Sequence, residues 1–216
     1  MITSTADLRR LYPQASPRSR AKQLDHLDET MQRFIAHAPF CMLASAGVQG
    51  ALVDASPRGG LPGFVQLTDA RTLLIPDATG NNRLDTLENL IDDPRIGVLF
   101  LIPGVNEVLR VNGRAALRDE AEFVERFAKA EARKLPALLI EVAVQEAYLH
   151  CPKALMRSQL WDESARAAPG TFPSMNAMLK AQLGPTIVTE TDAEAAARYA
   201  AQLADEGLSV ATAQQD

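Results

Sequence analysis

Seven short apolar segments of strand length, separated by turn-like residues, constrain the fold of this chain more than any other feature. Because several neighbouring segments are joined by only a few residues, they predict hairpins of antiparallel strands. Few long helical patterns interrupt the series. The sequence therefore predicts a mainly β, α+β fold, built on a small antiparallel barrel with peripheral helices. The seven segments cover residues 40–44, 50–53, 64–67, 72–75, 95–102, 108–117 and 137–144.

Apolar residues at gaps of three and four predict helices over residues 21–38, 83–91 and 119–133. Asn81 and Asn82 are the candidate N-caps of the second helix. The segment 165–174 is rich in Ala, Pro, Gly and Ser and has the composition of a linker, and helical patterns follow at 175–183 and 192–203. We therefore expect three parts: an N-terminal helical segment at 1–38, a barrel domain at 39–163, and a linker with a helical C-terminal extension at 164–216.

The charge balance and the apolar pattern exclude several functional classes. The 216 residues include 27 acidic and 22 basic side chains, a net charge of -5, which argues against a general nucleic-acid binder. No apolar run approaches the ~20 residues of a membrane span, and no secretory signal pattern opens the chain, so we expect a cytoplasmic protein. Cys41 and Cys151 are far apart and the three histidines are scattered, so no metal site is predicted.

Two glycine- and arginine-bearing segments are candidate ligand loops. Residues 54–63 contain three glycines and two prolines, and there Ser56 and Arg58 offer a hydroxyl and a guanidinium. Residues 75–83 end a strand and open a helix, and Arg83 stands beside the unpaired N–H groups of that helix terminus. Either segment alone also fits an ordinary surface turn. Together, at strand ends of a small β domain, they predict convergence on one phosphate group.

A third candidate segment spans residues 150–161. Lys153 and Arg157 are four residues apart and share a helix face, and Trp161 follows one turn later. This pattern suits an anionic or planar ligand, but it equally fits a surface helix whose tryptophan packs on the barrel. Arg110, on a predicted strand, either lines the same face as the two glycine- and arginine-bearing segments or points outward from the barrel.

Acid–base and nucleophile motifs are missing from the sequence. There is no G-x-S-x-G elbow, no P-loop and no H-E-x-x-H helix. His150 and Cys151 are neighbours, but adjacent side chains usually point apart, so the catalytic residues stay unknown. A protein with ligand loops and no such motif suits a cofactor that carries its own reactivity.

Several ordered motifs together carry a family resemblance. The chain reads D-A-S-P-R-G at 54–59, I-P-D at 75–77, G-N-N-R-L-D at 80–85, F-L-I-P-G at 100–104 and L-R-V-N-G-R-A at 109–115. The run from 40 to 161 resembles the pyridoxamine 5′-phosphate oxidase-related FMN-binding proteins, in an uncharacterised branch. The resemblance implies a split barrel, a homodimer and one FMN at each end of the subunit interface. It also implies that one subunit contributes Ser56, Arg58, Pro76, Asp77, Asn82 and Arg83, and that the partner contributes Arg110, Lys153, Arg157 and Trp161.

The chain also departs from the oxidases of that family. Their Arg-x-Val-Leu-Leu-Lys strand is absent, and Trp161 is followed by Asp162 and Glu163 instead of a Trp-Arg substrate motif. These departures argue against pyridoxamine 5′-phosphate as the substrate. The resemblance thus implies an FMN-dependent oxidoreductase with an unidentified small-molecule substrate or electron donor. The alternatives are a flavin carrier, storage or electron-transfer module, a barrel that has switched to haem or a deazaflavin, and a sensor of a phosphorylated ligand.

Overall fold

Every strand in the structure, a computed structural model, runs antiparallel to its sheet neighbours. The structure describes residues 1–48, 52–78, 80–128, 132–184, 186 and 189–209. Seven strands in these ranges form one sheet in the order β2-β1-β5-β6-β7-β4-β3, which confirms the predicted antiparallel architecture. The strands are β1 Phe40–Ala46, β2 Val53–Gly59, β3 Gln66–Asp69, β4 Thr72–Pro76, β5 Arg95–Leu101, β6 Val108–Arg118 and β7 Leu139–His150.

The sheet rolls around its core and leaves a split instead of closing into a complete barrel. Arg58 on β2 forms an ion pair with Asp77, the residue that follows β4. In a flat sheet these strands, five steps apart in the sheet order, would be separated by about 24 Å. Because the two side chains touch, the sheet must curl. Its edge strands β2 and β3 do not pair with each other within the described residues, so the fold is a split barrel.

One apolar core fills the rolled sheet. Alternate side chains of the strands point inward, as the burial of Cys41 and Leu43 on β1 shows. Two helices pack their apolar faces against the core. The first contributes Met31 and Ile35, and the second contributes Leu87 and Leu90. The second of these helices also contacts the strand that carries Ser56 and Arg58.

Eight α-helices surround the sheet in the described ranges, and none of them is long and apolar enough to cross a membrane. The two predicted C-terminal helices are confirmed as α7 and α8, while the division of the chain into three parts stays a prediction. Short 3-10 turns cover Glu125–Phe127 and Glu163–Ala165. The helices are α1 Thr5–Leu11, α2 Pro17–Ala21, α3 Glu29–His37, α4 Asp85–Asp92, α5 Ala121–Val124, α6 Lys153–Ser158, α7 Met175–Leu183 and α8 Asp192–Asp205.

Two helix predictions are wrong in extent. The helix predicted over 21–38 begins only at Glu29, because Asp28 caps it by accepting a hydrogen bond from the N–H of Met31 at 2.8 Å. Leu24 instead forms a β-bridge with Ala147 of β7. The helix predicted over 119–133 is a single turn followed by a 3-10 turn, and its residues 129–131 lie outside the described part.

The sequence predicted a ligand loop over 54–63, but only part of this segment is a loop. Its first six residues belong to β2, paired in register with β1 from Val53 opposite Ala46 to Gly59 opposite Phe40. Pro57 is compatible with this strand because β2 is an edge of the sheet, where a missing N–H disrupts no ladder on the open side. The predicted strand positions 50 and 51 lie outside the described residues.

A β-bulge separates the two halves of the long β6–β7 ladder. The register shifts between Asn112 and Gly113. A Cβ added to Gly113 would lie 2.2 Å from the carbonyl oxygen of Ala143, far inside van der Waals contact. The absence of a side chain at this glycine therefore allows the two central strands to approach each other.

Substitution Gly113→Ala should lower the free energy of unfolding by about 1–3 kcal/mol, because the backbone of β7 must move. Urea denaturation measures this change. Gly80→Ala is the matched control, since its Cβ would meet only the carbonyl oxygen of Ala78, at 4.0 Å. Equal midpoints for the two variants would show that the close approach does not constrain the sheet.

Candidate functional site

The inward face of β2 carries polar side chains where the neighbouring strand carries apolar ones. Asp54, Ser56 and Arg58 alternate along β2, and Ser56 and Arg58 lie opposite the buried Leu43 and Cys41. A polar face turned toward the interior at an open sheet edge is unusual for a purely structural strand. It places a hydroxyl, a carboxylate and a guanidinium at the split of the barrel.

The Arg58 side chain is held by Asp77. The two side chains are 15% and 21% exposed and form an ion pair through Nη1 and Oδ1. The Nε–H of Arg58 is buried and has no hydrogen-bond partner among the described residues. Because a buried unpaired donor is energetically costly, this atom has capacity for an acceptor from a ligand.

A cavity of about 200 Å³ lies between β2 and the start of α4. Arg83 enters it from the helix side, with its Nε donating to Asp85 at 2.9 Å and its backbone N–H donating to the side chain of Asn81 at 3.0 Å. The structure thus brings together Ser56, Arg58 and Arg83, as the sequence predicted. The cavity is lined by Asp54, Ala55, Ser56, Pro57, Arg58, Asn81, Arg83, Asp85 and Thr86.

The two arginines that line this cavity already form ion pairs with aspartates, but the Arg83 side chain remains accessible to solvent. The hydrogen bond and charge of Asp85 hold the pKa of Arg83 above its usual value, with Asp54 adding to this effect, so Arg83 stays cationic. Its side chain is 74% exposed and can exchange its carboxylate for another anion. Burial raises the pKa of the nearby Cys41 thiol to about 12, so Cys41 is not a nucleophile at neutral pH.

Other residues predicted for this site have different surroundings. Pro76 is the last residue of β4, where it lies opposite Leu139 of β7. Asn82 adopts a left-handed backbone conformation with φ 60°, and the adjacent Asn81, not Asn82, lines the cavity. The predicted N-caps are wrong, since Leu84 occupies the N-cap of α4 and no side chain caps this helix.

The third predicted segment contributes no residue to the lining of the cavity. Lys153 and Arg157 are exposed on α6 and form no ion pair with any described residue. The indole N–H of Trp161 donates to the carbonyl of Val105 at 2.9 Å, which anchors the end of this segment to the β5–β6 connection. Arg110 points outward from β6, with its guanidinium 5.5 Å from the ring centre of Tyr148.

Sequence reasoning missed Asp54, Asp85 and Thr86 in the cavity wall. The Thr86 hydroxyl donates to Asp54 at 2.6 Å and so joins α4 to β2. The signal for Asp54 was present, because residues 54, 56 and 58 share one face if the segment is a strand. Interpreting the segment as a loop removed that periodicity.

The outward face of the sheet differs sharply from the inward one. One row of opposed residues crosses five strands: Pro57, Met42, Leu99, Arg110 and Tyr148. Its first three members are exposed apolar side chains, whereas its last two carry polar groups. The adjacent row contains Ala44 and Gly97, whose small size leaves a shallow groove of about 530 Å³.

Fold and site together define a split-barrel protein with a small polar cavity, lined by two arginines, beside the edge strand β2. Sequence comparison now identifies its family. The sequence pattern of the family described as pyridoxamine 5′-phosphate oxidase matches residues 27–151, more than half of the chain. The chain belongs to this family, which confirms the family resemblance seen in the motifs. Among curated proteins, none matches the chain.

Several solved structures are similar to this chain at low identity. HupZ from Group A Streptococcus is 17% identical, with 57% of this chain and 93% of that chain covered and a TM-score of 0.46. A putative pyridoxamine 5′-phosphate oxidase from Lactobacillus delbrueckii is 15% identical, with 59% and 98% covered and a TM-score of 0.45. An FMN-binding protein from Syntrophomonas wolfei is 13% identical, with 57% and 90% covered and a TM-score of 0.41.

Replacing Asp77 with asparagine should lower the free energy of unfolding by about 1–3 kcal/mol, because it leaves the half-buried Arg58 charge without its counter-ion. Chemical denaturation measures the loss. Glu163→Gln is the control, since Glu163 and its partner Arg166 are 80% and 76% exposed. That change should stay within about 0.5 kcal/mol. If both variants unfold alike, the pair between β2 and the end of β4 does not hold the barrel together.

Proposed function

We propose that this protein is an FMN-binding oxidoreductase of the pyridoxamine 5′-phosphate oxidase type, acting on an unidentified small molecule. The observation that carries the proposal is the cavity between β2 and α4, where the buried Nε–H of Arg58 lacks an acceptor. Family membership and the motifs that line this cavity support the same cofactor. The substrate is left open, because the oxidases' substrate motif is absent from the sequence.

The residues present fit the phosphate end of FMN. Ser56 supplies a hydroxyl, and Arg58 and Arg83 supply two guanidiniums, the group best suited to bidentate phosphate recognition. Asp77 acts as a positioning residue, because its carboxylate orients Arg58. The cavity wall is polar and contains no histidine, which supports a phosphorylated ligand over haem.

The cavity is too small for the whole cofactor. Sites for drug-sized ligands usually enclose about 300–1,000 Å³, and this one measures about 200 Å³. It therefore suits the phosphate and the adjacent part of the ribityl chain. The flavin ring would need a further surface, which supports a site completed by a second subunit.

When bound, FMN supplies the hydride or single-electron chemistry that no side chain of this protein provides. The protein's own residues would bind and orient the cofactor. Arg58 and Arg83 neutralise the phosphate charge, while the hydrogen bond from Thr86 to Asp54 holds α4 against β2 and fixes the width of the cavity. Asp85 is the carboxylate that the phosphate would displace from Arg83. The proton donor, if the reaction uses one, stays unassigned.

We further propose a homodimer that forms through the outward face of the sheet. Met42 and Leu99 are 39% and 36% exposed there, directly opposite each other on neighbouring strands. Contiguous exposed apolar surface of this kind typically marks an interface. In such a dimer we expect the partner subunit to supply the residues that lie away from the cavity in one chain, namely Arg110, Lys153, Arg157 and Trp161.

Arg83→Gln should weaken FMN binding by at least about tenfold, because a charge-assisted contact to phosphate is lost. Riboflavin, which lacks the phosphate, should bind the variant and the unaltered protein equally. Arg95→Gln is the matched control: Arg95 is also 74% exposed and also pairs with an aspartate two residues away. Fluorescence titration measures the affinity for FMN and for riboflavin. An equal loss of affinity for the two flavins would contradict the phosphate assignment.

Leu99→Lys should convert a dimer into monomers, because it buries a charge in the proposed interface. Light scattering coupled to gel filtration reports the mass. Leu8→Lys is the control, since Leu8 is 45% exposed on α1, which is not part of the sheet. A Leu99 variant that becomes monomeric yet keeps its FMN affinity would contradict a shared site.

A further inference from the structure

Three cationic or titratable side chains surround one aromatic ring on the outward face of β6 and β7. Arg110 lies opposite Tyr148 in the ladder, with its guanidinium carbon 5.5 Å from the ring centre. The ammonium of Lys22 lies 5.2 Å from the same centre. The ring of His150 packs against Tyr148 with a centroid separation of 4.9 Å and an interplanar angle of 41°. We refer to these four residues as the Tyr148 cluster.

Backbone pairing fixes the lysine of this cluster in place. Leu24 and Ala147 exchange two backbone hydrogen bonds of 3.0 and 2.8 Å, so the segment before α3 runs beside β7. The Lys22 ammonium donates to the carbonyl of Leu149 at 2.6 Å. The approach of Lys22 to the ring is therefore set by the fold and not only by a flexible side chain.

Within the described part of the chain the cluster has no carboxylate counter-ion, unlike two comparable arginines. Arg118 stacks on Phe123 and binds Glu141 at 3.0 Å. Arg198 stacks on Tyr199 and binds Glu190 through two hydrogen bonds of 2.8 and 2.9 Å. Arg110 stacks in the same way but forms no ion pair with a described carboxylate.

The nearest acidic link to Arg110 runs through an amide. Its Nε donates weakly to Asn112 at 3.4 Å, and Asn112 in turn donates to Glu146 at 3.0 Å. Burial and the positive charges of Arg110 and Lys22 lower the pKa of His150. The positive charges of Arg110 and Lys22 therefore lie close together without a described carboxylate beside them. This is a local excess of positive charge in a protein whose net charge is -5.

The geometry points to a second anion-binding site, formed by Lys22, Arg110 and His150 around the ring of Tyr148. Its ligand is the phosphate or carboxylate group of a small molecule. Two fixed cations supply charge, the imidazole supplies a further donor, and the aromatic ring supplies a flat apolar wall. The cluster lies on the outward face of the sheet, whereas the cavity of Arg58 and Arg83 lies at its inward face. Arg110 is also one of the residues proposed above to reach the partner's flavin site, whereas Lys22, His150 and Tyr148 are not. The inference therefore shares Arg110 with the proposed flavin site but does not require flavin binding.

The test is a proton NMR titration of the flavin-free protein with inorganic phosphate, and separately with acetate, at constant pH and ionic strength. His150→Gln identifies the His150 ring signal. That signal should shift saturably, whereas His26 and His37, which bond to Asp25 and to the carbonyl of Arg33, should not. Arg110→Gln and Lys22→Gln should each weaken binding by at least about tenfold, the effect of losing one charge-assisted contact. Lys22→Arg should bind the anion as tightly as the unaltered protein, and Arg198→Gln should leave the affinity unchanged.

Failure of the cluster and failure of the flavin proposal give different results. If neither anion shifts the His150 signal saturably, or if Arg198→Gln weakens binding as much as Arg110→Gln, the site is refuted whatever the protein does with FMN. A saturable shift that persists after FMN loading assigns the site to a separate small molecule. A shift that disappears on FMN loading also supports the anion site, and assigns it to the side of the flavin site to which Arg110 is proposed to contribute.

Discussion

The contact between Arg58 and Asp77 is the interaction on which the rest of the structure depends. It joins an edge strand to the end of a strand five positions away in the sheet order, so it exists only if the sheet curls. The same contact leaves one guanidinium N–H of Arg58 buried and unpaired at the split. A single ion pair thus couples the closure of the barrel to the formation of the candidate site.

The two faces of the sheet divide the chemistry of the protein. Inward, β2 presents Asp54, Ser56 and Arg58 to a small polar cavity that α4 completes. Outward, one row of side chains changes from apolar on β2, β1 and β5 to cationic and aromatic on β6 and β7. Because strand side chains alternate, one set of strands can serve a cofactor site and an interface together. A shift of the register by one residue would exchange the two roles.

Much of this arrangement could be predicted from the sequence, and the exceptions have physical causes. Apolar runs located the strands, and the arginines of two motifs predicted the convergence that the cavity shows for Arg58 and Arg83. The glycines and prolines of 54–63 obscured the strand β2, whose edge position tolerates Pro57. The helix predicted from residue 21 was interrupted because Leu24 pairs with β7, a long-range contact that no local pattern encodes.

The Tyr148 cluster could not be predicted from spacing for the same reason. Lys22 is distant in sequence from Arg110 and Tyr148, and the long-range bridge between Leu24 and Ala147 brings it to the ring. For Asp77, the family resemblance predicted a direct role in binding the cofactor. Its partner in the structure is Arg58, so its first role is to position that guanidinium.

The central claim is that the cavity at the split of the barrel holds the phosphate of a flavin. The most direct measurement is the visible absorption spectrum of the freshly purified protein, followed by identification of the ligand released on denaturation. The account predicts flavin absorption bands and FMN as the released species, with uptake of added FMN by any flavin-free fraction. A colourless protein that also fails to bind added FMN would contradict it.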